Sequence, residues 1–261
     1  MSMDTIKKIL ELDRNDFFTF IDQRINDLEK CESICPAMHD YDLVKTNKFF
    51  GDSSKIITGS SPLVIDDKEI YCMLFENVKK FFNKEFKNEN ERIIALSKCV
   101  QKTVFDYIGI GRPDEVKRLI IFKTDNERDV DTSIKSFKNN FAGLCTERAA
   151  IAHNCFQMLG IESVFASEYI FLQGQKDLHA FNFFKYDGQV YLYDLINTYY
   201  MKDKEMPDTI LKKIDKDMAD EIFDNRESCD CQEIYSVKST AQSGREYTID
   251  YGYKEDEKYN F

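Results

Sequence analysis

The sequence has no long apolar run. Nowhere does it approach the roughly 18 consecutive apolar residues of a membrane-spanning helix. The first residues, MSMDTIKKILELDRND, also lack the apolar core of a secretory signal peptide. We therefore expect a soluble cytoplasmic protein without a membrane partner. Secretion or injection by a leaderless route would leave no trace in this pattern.

The sequence has fewer basic residues than acidic residues. The chain carries 36 Lys and Arg residues against 47 Asp and Glu residues, which gives a formal net charge of -11. The mean field of such a protein repels the phosphate backbone of DNA or RNA. Nucleic acid is therefore not an expected partner.

The eight cysteines lack the context of a disulfide framework. Without a secretory signal they are expected to be reduced thiols. The alternative is a zinc site, built from a Cys/His group at helical spacing and a second pair of cysteines: Cys31, Cys35, His39, Cys229 and Cys231. Pro36 interrupts the helix that this alignment needs. We expect no metal and no other cofactor, and an activity that survives a chelator.

Residues 144–159 contain neither proline nor glycine and are followed by Gly160, as expected for a helix. Their apolar positions spread beyond one narrow stripe, which indicates a mostly buried helix. Gly143 lets the backbone approach closely just before it, and Cys145 lies in the first turn. Unpaired N–H groups and the positive end of the helix dipole favour a thiolate there. Cys145 is the candidate nucleophile.

Three stretches rich in aromatic and β-branched residues follow and predict strands: 162–172, 177–184 and 189–196. Asp187 and Gly188 predict a two-residue hairpin turn between the last two. Counting back from this turn makes His179 the diagonal neighbour of Asp194, with Cα atoms roughly 7–8 Å apart. A base and its orienting carboxylate thus lie side by side. We expect Asp194 to accept a hydrogen bond from His179 Nδ1, which leaves Nε2 to face Cys145.

Each of these residues has an ordinary structural alternative. A free cysteine is most often a small buried residue, a lone histidine is a core or surface side chain, and a lone aspartate caps a strand end. The agreement of helix position with strand parity favours the catalytic interpretation of Cys145, His179 and Asp194 together. His153, two turns after Cys145 in the same helix, has no such partner and is interpreted as structural.

Four motifs resemble the transglutaminase-like superfamily, a circularly rearranged relative of papain-like folds: GLCTERAA, LGIES, HAFN and DGQVYLYDLINT. The resemblance covers about residues 90–200 and implies a catalytic triad of Cys145, His179 and Asp194. The chain departs from relatives in that superfamily by lacking tryptophan, which many transglutaminases use in the oxyanion region, and the C-x-x-C pair of the peptide N-glycanase branch. Arylamine acetyltransferases share the triad order, but their N-terminal part and their counterpart of the DLINT segment look less similar.

Helical periodicity predicts helices at residues 3–12, 15–34, 67–87, 89–108, from Pro113 onwards, and at 207–224. Residues 35–66 are interpreted as an irregular connection, and 232–238 with 246–253 as a terminal hairpin that can extend the sheet. The expected fold is α+β with a transglutaminase-like or papain-like core, in which an antiparallel sheet packs on the nucleophile helix. We divide the chain into a helical region, 1–88, packed on a catalytic core, 89–261.

Two residue pairs flank the expected site. Asn139 or Asn140 would supply an oxyanion donor beside the Cys145 N–H, although polar residues of a loop tip are the ordinary alternative. Tyr199 and Tyr200 follow Asp194 and would line a substrate cleft, although such aromatic residues are more often core residues.

These residues predict a thiol-dependent enzyme that attacks an amide of a protein or peptide through a Cys145 thioester. A hydrolase, either a cysteine peptidase or a deamidase, is the first interpretation. Transfer to an amine, as by a protein-glutamine transglutaminase or another acyltransferase, is the second, because it needs a tunnel that excludes water. The third is a binding module that keeps the fold without turnover, against which the intact triad argues. No pattern in the chain predicts the oligomeric state.

Overall fold

The computed structural model describes residues 2–30, 47–50, 53–58, 61–110, 114–172, 175–195, 209–216, 235–240 and 246–251. These residues form a mixed α+β fold of helices and two sheets. Within these ranges no helix combines the length and the apolar composition that crossing a membrane requires.

The described residues contain six α-helices: α1 (Ser2–Glu11), α2 (Phe17–Lys30), α3 (Glu69–Phe82), α4 (Glu89–Ile108), α5 (Glu115–Glu127) and α6 (Cys145–Met158). The first four and α6 confirm helices predicted from the sequence. The fifth begins at Glu115 rather than at Pro113. Asp114 is its N-cap residue, because its carboxylate accepts the Lys117 N–H at 2.9 Å.

Within the described residues, the main sheet has six strands: β5 (Glu162–Leu172), β6 (Gln175–Tyr186), β7 (Gln189–Leu195), β8 (Thr209–Lys213), β9 (Tyr235–Thr240) and β10 (Glu246–Tyr251). Their order is β8-β7-β6-β5-β10-β9, and every neighbouring pair is antiparallel. The strands predicted for β5, β6 and β7 are therefore confirmed. So is the terminal hairpin, which extends the sheet by pairing β10 with β5.

The helix predicted for residues 207–224 is wrong at residues 209–215, and among the described residues of this range only Lys216 is helical. Thr209–Lys213 form β8, which pairs with β7 and places Ile210 opposite Asp194. The apolar positions of this stretch suit either a helix or a strand. Pairing with the exposed edge of β7 decides between the two, and no local pattern reveals that partner.

A second sheet replaces part of the irregular connection predicted for residues 35–66. Its strands are β1 (Asn47–Phe50), β2 (Ser53–Thr58), β3 (Ser61–Ile65) and β4 (Thr132–Ser133), in that order. The first three form an antiparallel meander, and β3 pairs with β4 in parallel. Of the residues that indicated a loop, Ser53 and Ser54 lie in β2, and Ser61 and Pro62 lie in β3. The region 1–88 is therefore not purely helical.

The helix α6 lies at the centre of the fold. It packs against β5, β6 and β7 of the main sheet on one side and against α3 and α4 on the other. Ala150, Ile151, Ala152, Cys155 and Phe156 have no exposed surface. The mostly buried helix predicted from the sequence is thus confirmed, and its position holds residue 145 against the sheet.

The N-terminal helices belong to the same hydrophobic core as α6. Ile6, Ile9 and Ile21 are fully buried in one continuous cluster that also includes residues of α4, α6 and the main sheet. Arg24 on α2 donates to the carbonyl oxygens of Gln157 (3.1 Å) and Met158 (3.2 Å), at the C-terminal end of α6. A cation at that end of a helix also offsets the negative end of its dipole.

Candidate active site

Residues 138–144 form the loop that leads into α6. The Asn139 N–H donates to the Tyr107 carbonyl at 2.8 Å, and the Phe141 carbonyl accepts the Asp114 N–H at 2.8 Å. Asn139 and Phe141 have left-handed φ angles of 51° and 61°. That conformation costs a bulky residue such as Phe141 on the order of 1–3 kcal/mol. Contacts with α4 and α5 therefore hold a strained entry to the helix.

Gly143 lies against Ile108 at the end of α4. A Cβ atom at position 143 would be 2.8 Å from Ile108 Cδ1 and 2.9 Å from Ile108 Cγ2. Such distances are too short for carbon atoms in van der Waals contact. The close approach predicted for Gly143 is confirmed, and the neighbour that requires it is Ile108.

No N-cap side chain bonds to the N–H groups in the first turn of α6, which begins at Cys145. Leu144 is the N-cap residue, and a leucine side chain cannot accept a hydrogen bond from the N–H groups of that turn. Glu147 bonds in the opposite direction, because its Oε2 accepts the Leu144 N–H at 2.8 Å. The positive end of the helix is thereby presented to the thiol.

The turn at Asp187 and Gly188 determines where His179 lies relative to Asp194. Both turn residues have positive φ angles, 49° and 75°, as a type I′ hairpin requires. β6 and β7 pair in the predicted register. His179 Nε2 lies 2.8 Å from Asp194 Oδ1, and both side chains are buried. The sequence thus predicted this pair correctly.

Our prediction that Nδ1 of His179 faces Asp194 is wrong. Nε2 of His179 contacts the carboxylate, which leaves Nδ1 for the side of Cys145. The strand register determines the distance between the backbones of His179 and Asp194. Rotation about the side-chain bonds then decides which nitrogen faces which neighbour, and the register carries no information about it.

Cys145 is half-buried and interacts with the histidine ring. Burial opposes ionisation of the thiol. The hydrogen bond to His179, the charge of its ring and the backbone N–H of Ala180 outweigh burial and lower the pKa of Cys145 below its ordinary value. Burial opposes the charged form of His179 as well, and so lowers its pKa. Asp194 and Cys145 outweigh burial and raise the pKa of His179 well above its ordinary value. The arrangement favours a thiolate and imidazolium pair.

Comparison of the chain with protein-family models, with curated proteins and with solved structures gives no match. The interpretation of the site therefore depends on the geometry of Cys145, His179 and Asp194. The described structure brings these three residues together from α6, β6 and β7, over 49 positions of the chain from residue 145 to residue 194.

The sequence did not single out Glu147, two residues after the thiol. Its carboxylate is fully buried and accepts hydrogen bonds from two nitrogens of Arg118. Nη2 donates to Oε1 at 2.8 Å, and Nε donates to Oε2 at 3.1 Å. The signal for its local role was half of a capping box, a glutamate three residues after the N-cap position. Nothing in the sequence pairs it with Arg118, which lies 29 residues away.

The oxyanion candidate Asn140 has another role in the structure. Its side-chain nitrogen donates to the Ser136 carbonyl, and its side-chain oxygen accepts the Ala142 N–H at 2.9 Å. The amide therefore holds the loop before Cys145, and the oxyanion role of Asn140 stays a prediction. Asn139 is exposed at its left-handed position, which is the ordinary loop-tip alternative. Tyr199 and Tyr200 lie outside the described residues.

The zinc alternative cannot be placed in the structure. Cys31, Cys35, His39, Cys229 and Cys231 all lie outside the described residues. Within the described ranges, no group of three or more His, Cys, Asp or Glu residues is arranged to hold a metal ion.

His153 lies in the core, on α6. Its side chain is fully buried, and Nδ1 lies 2.7 Å from Ser163 Oγ on β5. Burial lowers the pKa of His153 to about 3, so the ring is neutral at ordinary pH. A neutral histidine beside a serine hydroxyl is an ordinary buried polar pair, as the structural interpretation of His153 expects.

We expect Cys145 to be the fastest of the eight cysteines to react with iodoacetamide near neutral pH. The thiolate is the reactive form. Burial raises the pKa of Cys72 to about 11 and also raises the pKa of Cys99 and of Cys155. The measurement is a brief treatment of the native protein, followed by peptide mass spectrometry. Equal labelling of all eight cysteines would contradict the expectation.

Proposed function

We propose that this chain is a thiol-dependent amide hydrolase, a cysteine peptidase or a deamidase, with a transglutaminase-like core. The observation that carries the proposal is the contact of Cys145 with a histidine whose other ring nitrogen lies 2.8 Å from a buried aspartate. A nucleophile, a base and a group that orients the base are the parts that acyl transfer requires. The motifs from residues 143 to 198 that resemble the superfamily support the same function.

Acylation would begin with attack of the Cys145 thiolate on the carbonyl carbon of an amide. The Cys145 N–H and neighbouring N–H groups of the first turn of α6 would stabilise the negative oxygen that forms. His179, as an imidazolium, then gives its Nδ1 proton to the leaving nitrogen as the C–N bond breaks. The products are an amine or ammonia and a thioester on Cys145.

Deacylation uses the same groups in reverse. Neutral His179 takes a proton from water through Nδ1, and the hydroxide equivalent attacks the thioester carbonyl. Collapse of the second tetrahedral intermediate breaks the C–S bond and releases a carboxylic acid, while the imidazolium and the thiolate form again. Asp194 remains a carboxylate throughout and stabilises the positive ring at Nε2.

Transfer to an amine is the second candidate, since an amine can attack the same thioester in place of water. Crosslinking of a glutamine to a lysine would follow if the bound substrate excludes water. A cytoplasmic protein or peptide is the proposed substrate for both reactions, and neither reaction requires a metal or other cofactor.

The test is incubation of the purified protein with a proteome extract, with and without added putrescine. The matched control is Cys145→Ala, which removes the sulfur and keeps the helix. We expect the wild type, and not Cys145→Ala, to produce new peptide termini or a gain of about one dalton at glutamine. Neither product should depend on putrescine. Putrescine adducts would instead identify the transferase. Identical products from the wild type and Cys145→Ala would leave only the binding-module interpretation.

A further inference from the structure

A largely buried ion pair begins two residues after the thiol on α6. Glu147 belongs to the first turn of α6, two residues after Cys145, and its carboxylate has no exposed surface. Arg118 reaches it from α5 through three nitrogen-to-oxygen contacts of 2.8–3.2 Å. The Arg118 side chain is only 21% exposed, so solvent screens this pair weakly.

Packing orients the Arg118 side chain toward the site. The guanidinium carbon lies 4.6 Å from the centre of the Phe122 ring, one turn further along α5. That ring packs on Phe137, with ring centres 5.7 Å apart. A cation above an aromatic face is favourable, and the stacking leaves the planar fork directed at Glu147.

Four charged or titratable side chains from four elements of the described structure bear on Cys145: three act on the thiol or on its histidine, and Arg118 contacts Glu147. His179 from β6, backed by Asp194 from β7, favours the thiolate. Glu147, on the helix of Cys145 itself, opposes the thiolate because like charges repel. Arg118 from α5 supplies the positive charge that lies against Glu147. The net effect of the Glu147 and Arg118 pair on the thiol therefore depends on the guanidinium.

We propose that Arg118 is a positioning residue of the thiol site, which neutralises the buried Glu147 carboxylate and so preserves the ionised, reactive form of Cys145. This inference rests on the proposed function, because it assigns Arg118 a role in the same reaction. Arg118 contacts Glu147 rather than the thiol, and it acts through that carboxylate. Glu147 cannot simply be absent, since it also holds the Leu144 N–H at the start of the helix.

The experiment measures the rate of Cys145 alkylation by iodoacetamide against pH in the full-length chain. Arg118→Met keeps most of the side-chain volume and removes the charge. We expect the midpoint of its profile to rise by about one pH unit, which corresponds to about tenfold slower alkylation below the midpoint. Arg118→Lys keeps the charge and loses the fork. Its midpoint should stay near that of the wild type.

Two further variants separate an electrostatic role from a merely structural one. Glu147→Gln removes the opposing charge and keeps an oxygen for the Leu144 N–H, so its midpoint should fall slightly or stay unchanged. Arg118→Met with Glu147→Gln should return the midpoint to within a few tenths of a unit of the wild type. If Arg118 were only a clamp, the double variant would be at least as impaired as Arg118→Met. That result, or an unchanged midpoint in folded Arg118→Met, would overturn the proposal.

If Arg118→Met does not fold, Glu147→Gln still tests the proposal. A rise in the midpoint of the Glu147→Gln profile would contradict the proposal by itself. Alkylation needs no substrate, so the two proposals fail separately. The predicted order of midpoints in a protein that cleaves no amide would reject the proposed function and leave the role of Arg118 intact. Amide cleavage with unchanged midpoints in all variants would reject the role of Arg118 and leave the proposed function intact.

Discussion

Replacing Asp194 with Asn is expected to lower the rate of amide cleavage by about 10⁴-fold while the fold is kept. The buried carboxylate lies 2.8 Å from His179 Nε2 and stabilises the imidazolium. An asparagine amide has almost the same shape but carries no charge. Its NH₂ group can also donate to Nε2, which selects the tautomer with a hydrogen on Nδ1. That tautomer cannot take a proton from Cys145 or from water.

The measurement combines turnover on any substrate found for the wild type with the pH profile of Cys145 alkylation. In Asp194→Asn the pKa of Cys145 should rise, because its cationic partner is less favoured. Circular dichroism checks that the fold is retained.

Asp187 provides a matched control on the same hairpin. It occupies the type I′ turn with a φ angle of 49°, where Asn is equally suitable before Gly188. Asp187→Asn makes the same chemical change as Asp194→Asn and should be nearly silent in turnover. Loss of activity in Asp187→Asn with retention in Asp194→Asn would refute the assignment of the triad.

The second large effect concerns stability in acid. The pKa of His153 is about 3 in the folded protein because of burial, against an ordinary value of 6.5. Between these values the unfolded state binds a proton that the folded state does not, so the free energy of unfolding falls as the pH falls. The slope approaches about 1.4 kcal/mol per pH unit, which amounts to roughly 3 kcal/mol by about pH 4.

The variant His153→Leu isolates this contribution. It lacks the titrating ring and the contact with Ser163 Oγ, so it starts from a lower stability near neutral pH. Its loss of stability on acidification should nevertheless be shallower than that of the wild type, because the carboxylates that titrate are common to both proteins. Urea unfolding at several pH values between 7 and 4 measures the difference. Parallel curves would show that His153 does not remain neutral in the folded protein.

Local chemistry explains what could be predicted from this sequence. The hairpin between β6 and β7 follows from Asp187 and Gly188, since a two-residue turn with positive φ angles permits one register. That register brings His179 to Asp194. The helix after Gly143 is equally local, since its residues favour a helix and Gly160 ends it.

What could not be predicted depends on partners distant in sequence. β8 is a strand because β7 offers it an edge, although residues 209–213 alone suit a helix as well. The contact of Arg118 with Glu147 joins two helices across a loop whose path no pattern reveals. The orientation of the His179 ring depends on side-chain rotation. In each case packing, rather than local preference, makes the choice.

The two hydrogen bonds from Arg24 to the far end of α6 bear on which fragments of this protein can exist alone. A fragment that starts at residue 89 would lose them, together with the buried side chains of Ile6, Ile9 and Ile21. Each side chain of this kind contributes roughly 1.5–3 kcal/mol when buried. A whole domain is stable by only about 5–15 kcal/mol. A protease that removed the N-terminal helices would therefore destabilise the core around Cys145 without cutting near it.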